Sequence, residues 1–131
     1  MTVLVGYKPT APGEAAFERG VAEAAGRGED LVVLNSPRRG ATVDADMIDD
    51  VASAKLVERA AARGVIATVE QGMHGADVVD AFEEVVARTG ADLVVIGLRR
   101  RSPVGKLVMG SAAQRLLLQL EVPVLAVKAA R

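Results

Sequence analysis

Leu93-Val94-Val95-Ile96 is the stretch that most narrows what this chain can become. Four apolar residues in succession, three of them β-branched, leave no side for water. A strand of that kind is buried on both faces, as in a parallel sheet covered by helices. The pattern recurs at Val3-Leu4-Val5, at Leu31-Val32-Val33-Leu34 and at Val122-Pro123-Val124-Leu125-Ala126-Val127. Segments with helical spacing lie between these runs. Strict alternation of strand and helix implies right-handed crossovers and helices on both sides of one sheet. Aromatic residues make up only 2% of a chain that is 50% hydrophobic, so Val, Leu, Ile and Ala must build the core. The length of 131 residues suits one domain spanning 1–131, and no repeat or linker divides it.

In order, the first strand is predicted at residues 3–7. A turn follows over 8–13, rich in proline and glycine, then a helix over 14–26. That helix presents Phe17, Val21, Ala24 and Ala25 on one face and is closed by Gly26 and Gly28. The second strand, 31–34, runs into Asn35-Ser36-Pro37 and a loop over 38–46. Met47, Val51, Ala54, Val57 and Ala61 form the next helical stripe, closed by Arg63-Gly64. Residues 65–71 are less apolar and read as an edge strand, and 72–75 as a turn. Val78, Val79, Phe82, Val85 and Val86 face the core from the third helix, which Gly90 ends. After the fourth strand, a helix is expected from Ser111 to about Gln119, then the last strand at 122–127. Pro123 cannot donate to a ladder, which places it at a strand start or an edge. The count is five strands and four helices.

Charge and composition exclude several functions. A net charge of −1 argues against general nucleic-acid binding, since only a local arginine run is basic. With no cysteine and one histidine, disulfides, thiolate metal sites and multi-histidine sites are out. Neither a signal peptide nor a membrane-spanning segment is expected, so the expectation is a cytoplasmic protein with no membrane or nucleic-acid partner.

Chemistry concentrates after the fourth strand. Gly97 is expected to end it, and Arg99-Arg100-Arg101, Pro103 and Gly105 read as a basic loop. Ser111 with Gln114 forms a capping box that opens a helix. Unpaired amides and the positive dipole end there suit an anion such as phosphate, and arginine's planar donors suit its oxygens. A plain strand-to-helix connection with solvated arginines fits the same residues. Other features read more simply. His74 is a surface residue in a turn, and Lys106 is solvated. Asp44-Ala45-Asp46 with Asp49-Asp50 lacks the glycine and glutamate of a calcium loop. Ser111 has neither a nucleophile elbow nor a base, so it caps rather than attacks.

These residues carry a family resemblance. Gly97, Arg100 and Gly110-Ser111, with nine residues between Arg100 and Gly110, stand where universal stress proteins of the single-domain type have glycine, glycine and Gly-Ser or Gly-Thr. The closing strand Val122-Pro123-Val124-Leu125-Ala126-Val127 also matches, and the resemblance runs from Val3 to Lys128. It implies a flavodoxin-like α/β fold, of the adenine nucleotide alpha hydrolase-like kind. That fold is a three-layer sandwich on a five-stranded parallel sheet of order 3-2-1-4-5. A homodimer through the last strand, Val122 to Val127, is implied too, as is ATP binding in some members and none in others. Members take part in stress survival, often with no defined reaction.

Site candidates follow residue by residue. Gly6, Lys8 and Ser36 stand at the ends of the first two strands; Ile96, Gly97, Arg99 and Arg100 at the fourth strand and its loop; Gly110, Ser111, Ala112 and Ala113 at the helix start. Three departures bear on them. Arg100 replaces the second glycine of the signature. Lys8 stands where ATP-binding members carry an aspartate toward the adenosine, and Pro9-Thr10 where Gly-Ser is usual. Asn35-Ser36 replaces a His-Val pair, which makes the adenine wall more polar. The phosphate half thus looks retained and more basic, the adenosine half altered. The expected cofactor is ATP or another nucleotide or polyphosphate, with Mg or without it, or none. Neither a catalytic residue nor a metal ligand is assigned. The leading function is nucleotide binding or sensing in a stress response. The alternative is a dimeric interaction protein without nucleotide; a nucleotide-cleaving enzyme ranks last because no general base stands near the loop.

Overall fold

The computed structural model describes residues 1–35, 47–72, 77–101, 106–108 and 110–129. Ser36, the loop 38–46, His74, and Pro103 with Gly105 lie outside the described residues. Of Arg100, Arg101 and residues 106–108 the backbone alone is described.

Element order is β1 (Thr2–Gly6), α1 (Ala11–Arg27), β2 (Asp30–Asn35), α2 (Asp50–Ala61), β3 (Ala67–Gln71), α3 (Val78–Thr89), β4 (Ala91–Arg101), β5 (Lys106–Val108), α4 (Ser111–Gln119) and β6 (Val124–Lys128). Five strands run parallel in the order β3-β2-β1-β4-β6, with Val5 opposite Val33 and Val95, and Val94 opposite Val124. This is the 3-2-1-4-5 order expected from the sequence. The period-2 side-chain alternation of the strands divides the core in two. Val3, Val5, Leu31, Val33, Leu93 and Val95 face α1 and α2. Leu4, Val32, Leu34, Val94 and Ile96 face α3 and α4. Among the described residues, no helix is long and apolar enough to cross a membrane.

Four local readings are corrected. First, α1 starts at Ala11, three residues before the expected Glu14. Thr10 is the N-cap, its hydroxyl accepting from the Gly13 amide, and Pro12 sits in the first turn, where its missing N–H costs nothing. Gly28, in the left-handed conformation, closes the helix, while Gly26 lies within it and Ala25 is exposed.

Second, α2 buries a different stripe. Leu56 and Ala60 are buried with Ile48, and Ala52 packs against them, whereas Val51, Ala54 and Ala61 face outward. Two interleaved runs of small apolar residues compete along this helix. The larger Leu56 and Ile48 bury more area and win the inward face.

Third, β4 does not stop at Gly97. It continues to Arg101 and pairs antiparallel with β5, Arg99 opposite Val108 and Arg101 opposite Lys106. The expected basic loop is in part a hairpin, and the strands among the described residues number six.

Fourth, the N-cap of α4 is Gly110, so Ser111 is the first helical residue and not the cap of a capping box. α3 is as expected. Val79, Phe82 and Val85 are buried, Val78 and Val86 pack beside them, and Gly90 closes the helix in the left-handed conformation. β3 lies at the sheet edge, as read.

Candidate functional site

In a doubly wound parallel sheet, the carboxyl ends of neighbouring strands leave a crevice where the order reverses. Here that point lies between β1 and β4. It gathers Gly6, Lys8, Ile96 and Gly97, the candidates from opposite halves of the sequence. Their environments differ sharply.

The segment after β1 is folded tightly back. The Tyr7 amide donates to the Leu34 carbonyl at 2.9 Å and the Thr10 amide to the Lys8 carbonyl at 2.7 Å. A Cβ on Gly13 would lie 1.8 Å from the Lys8 oxygen, so only glycine lets α1 begin this close to the loop. A Cβ on Gly97 would lie 2.0 Å from the Pro12 oxygen. The space left by Gly97 is thus filled by the backbone of the α1 start. This corrects its reading as a glycine that ends the strand or clears an approach for ligand. Gly6 is similarly closed, by the Phe82 ring at 2.7 Å, and Ile96 is buried among the residues facing α3 and α4.

The sequence suggests that Asn35 belongs to a polar adenine wall. Instead it is fully buried at the end of β2. Its Nδ2 donates to the Tyr7 carbonyl at 3.0 Å, and its Oδ1 accepts from the Ile48 amide at 3.1 Å. Gln71 Nε2 donates to the Ile48 carbonyl at 2.5 Å. The Asn35 amide therefore clasps β1's exit to the start of α2. A buried polar group must be paired, and here the pairing ties three strand ends together.

A second polar group braces the outer side. The Tyr7 hydroxyl donates to Glu14 Oε1 at 2.5 Å, and Arg59 pairs with Glu14 at 2.9 Å and with Glu18, its guanidinium 4.6 Å from the Phe17 ring centre. Burial, followed by the hydrogen bond to Glu14 and that residue's charge, pushes the Tyr7 phenol well above its ordinary value. For Glu14, burial acts upward, but the hydrogen bonds from Tyr7 and Arg59 outweigh it and hold the carboxyl below the usual range.

The α4 side is open. Gly110 has φ −68° and ψ 164°, and among the described residues a Cβ placed on it would meet nothing within 4 Å. Neither α4 nor α3 has a side-chain hydrogen bond at its N-cap. Ser111 and Ala112 are exposed and Ala113 is half-buried, so the amides of the first turn of α4 are reachable from solvent. Arg99 is exposed on β4, and β5 runs back antiparallel along it. Asp77, the N-cap residue of α3, instead receives both Arg115 guanidinium nitrogens, at 2.5 and 2.9 Å. The sequence offers no local signal for that pair, whose members stand 38 residues apart.

A parallel 3-2-1-4-6 order with a helix start following the fourth strand is the layout the family resemblance implies, and the Universal stress protein family model matches residues 1–128. The chain belongs to the universal stress protein family. A universal stress protein from Mycolicibacterium smegmatis is 40% identical, the match covering 96% of each chain. Among solved structures, the universal stress protein from Archaeoglobus fulgidus superposes with a TM-score of 0.80 at 29% identity, over 98% of each chain. Another Archaeoglobus fulgidus universal stress protein structure, in complex with dAMP, matches at a TM-score of 0.74 and 24% identity, again over 98% of each chain.

Proposed function

We propose that this universal stress protein binds a nucleotide through its phosphates at the start of α4 and acts as a nucleotide sensor in a cytoplasmic stress response, not as an enzyme. The observation that carries this reading is Gly110. Among the described residues it combines a helix start without a side-chain cap with open space, so phosphate oxygens can approach the Ser111 and Ala112 amides without displacing any of them. Arg99 and Arg100 place positive charge shortly before α4 in the chain, and Lys8 adds a cation just after β1. The dAMP held by a structural neighbour supports a nucleotide as the occupant. ATP is the natural candidate, with any Mg carried in by the phosphates, because the described residues contain no cluster of three metal-ligating side chains.

The site has few means to reject a wrong base. Asn35 is committed to backbone partners, and Lys8 stands in place of an acidic acceptor. Discrimination requires polar groups that a wrong ligand would leave unpaired. ATP and GTP are therefore expected to bind alike, weakly, and less at higher salt. Calorimetric titration of both at two salt concentrations tests this; tight, salt-insensitive binding selective for ATP would overturn it.

The dimeric interaction reading draws support from β6. Its residues Val124 to Val127 are only half-buried, and β4 is its single partner among the described strands. An apolar strand in that position gains from pairing with its two-fold copy. We infer a homodimer through β6, compatible with either function; a monomer in light scattering at micromolar concentration would refute it.

A further inference from the structure

α4 is a short helix, and helices of nine residues do not hold themselves in place in water. Its anchors are unevenly spread. Leu116 is its one buried residue among those described, with Leu117 and Leu120 packed beside it, all in the second half or beyond. The first turn carries Ser111 and Ala112, both exposed, and a glycine N-cap with no side-chain hydrogen bond. Ala113 alone packs inward from that turn. The proposed phosphate site is thus the least anchored part of the helix.

A contact with α3 compensates. Arg115 reaches across to Asp77 and forms a two-pronged pair, Nη1 to Oδ1 at 2.5 Å and Nη2 to Oδ2 at 2.9 Å. A planar fork on a carboxylate fixes direction as well as distance, which a single lysine contact would not do. Asp77 is itself fixed at the N-cap of α3, whose Val79, Phe82 and Val85 are buried against the sheet. The pair therefore transmits the rigid position of α3 to the start of α4, one turn from the amides at issue. It also uses the carboxylate that would otherwise cap α3.

We propose that Asp77 and Arg115 are positioning residues for nucleotide binding, holding the first turn of α4 at the angle the phosphates require. Neither touches the ligand. The inference rests on the function proposed above. It makes a demand that differs from direct contact. Were Arg115 itself a phosphate ligand, releasing it from Asp77 would leave affinity unchanged or raise it. A positioning pair loses affinity from either side.

ATP affinity is measured by calorimetry for the natural protein, Asp77→Asn, Arg115→Gln, Arg115→Lys and the Asp77→Asn/Arg115→Gln double variant, with hydrogen exchange of the α4 amides followed in each. Expected is a loss of about tenfold in Asp77→Asn and in Arg115→Gln, a scale set by helix-terminus contributions to anion binding. Arg115→Lys should fall between these and the natural protein. The double variant should lose no more than either single one, because the two act as a unit. Exchange should quicken in α4 while the amides of β1 and β4 stay protected. Unchanged ATP affinity with faster α4 exchange would make the pair structural only and overturn the inference. Unchanged or tighter binding by Asp77→Asn with weaker binding by Arg115→Gln would overturn it in favour of direct contact. Absence of ATP binding by the natural protein itself would sink the proposed function and the inference with it.

Discussion

The two sides of the switch point are built from similar residues and behave in opposite ways. On the β1–α1 side, Gly13 and Gly97 bring backbones into contact, and a Cβ on either would lie within 2.0 Å of a carbonyl oxygen. On the α4 side, Gly110 faces open space. Gly97 closes the structure and Gly110 leaves it open, though both belong to the same family signature. The teaching is that a glycine in a binding motif can serve packing or approach, and only the neighbouring backbone says which.

The largest expected effect tests the closed side. Gly97→Ala forces the α1 start away from β4, and such overpacking against backbone costs about 3 kcal/mol. Thermal unfolding should drop by roughly 10 °C. A variant as stable as the natural protein would show that Pro12 can move aside and that the contrast is weaker than drawn.

Gly110→Val tests the open side. Its backbone angles suit any residue, so stability should fall by no more than about 1 kcal/mol. Nucleotide affinity should fall about tenfold, since the side chain fills the space phosphate would use. Large destabilisation with affinity retained would reverse the assignment of this glycine.

Tyr7→Phe sharpens the closed side by pH. The folded phenol holds its proton above its ordinary value of 10.0. Below about pH 10 its contribution to stability is complete, and it is lost as pH rises through the folded value, because the unfolded chain releases that proton first. At neutral pH the variant should lose about 1 kcal/mol with its hydrogen bond to Glu14. In denaturant melts across this range, the variant should show a shallower alkaline decline than the natural protein; equal slopes would exonerate Tyr7. Glu14 acts at the other end, its contribution present above the ordinary carboxylate value and lost as pH falls through its lowered folded one.

Lys8→Asp gives the smallest effect. Restoring an acidic acceptor should create a preference for ATP over GTP of about threefold and weaken the salt dependence of binding. No change in the ATP:GTP ratio would mean that residue 8 does not face the base.

Sequence alone determined the alternation of elements, the strand order through the family resemblance, and the α3 face. The run Leu93 to Ile96, short and rich in β-branched residues, and the stripe Val79, Phe82 and Val85, at helical spacing, are local patterns legible in the chain itself. It also located the glycine and arginine positions of the candidate site. Tertiary structure decided the rest. Which of two small-residue stripes of α2 turned inward depended on where Ile48 was held, by Asn35 and Gln71 from two strand ends. The partner of Arg115 lay 38 residues away. Arg99 to Arg101 became strand because β5 supplied the pairing hydrogen bonds, against what the flanking proline and glycine suggested. The fate of Gly97 turned on backbone brought up from the start of α1, and that of Gly6 on the Phe82 ring. Side-chain periodicity is written along the sequence, but close approach between distant segments exists only once they are packed.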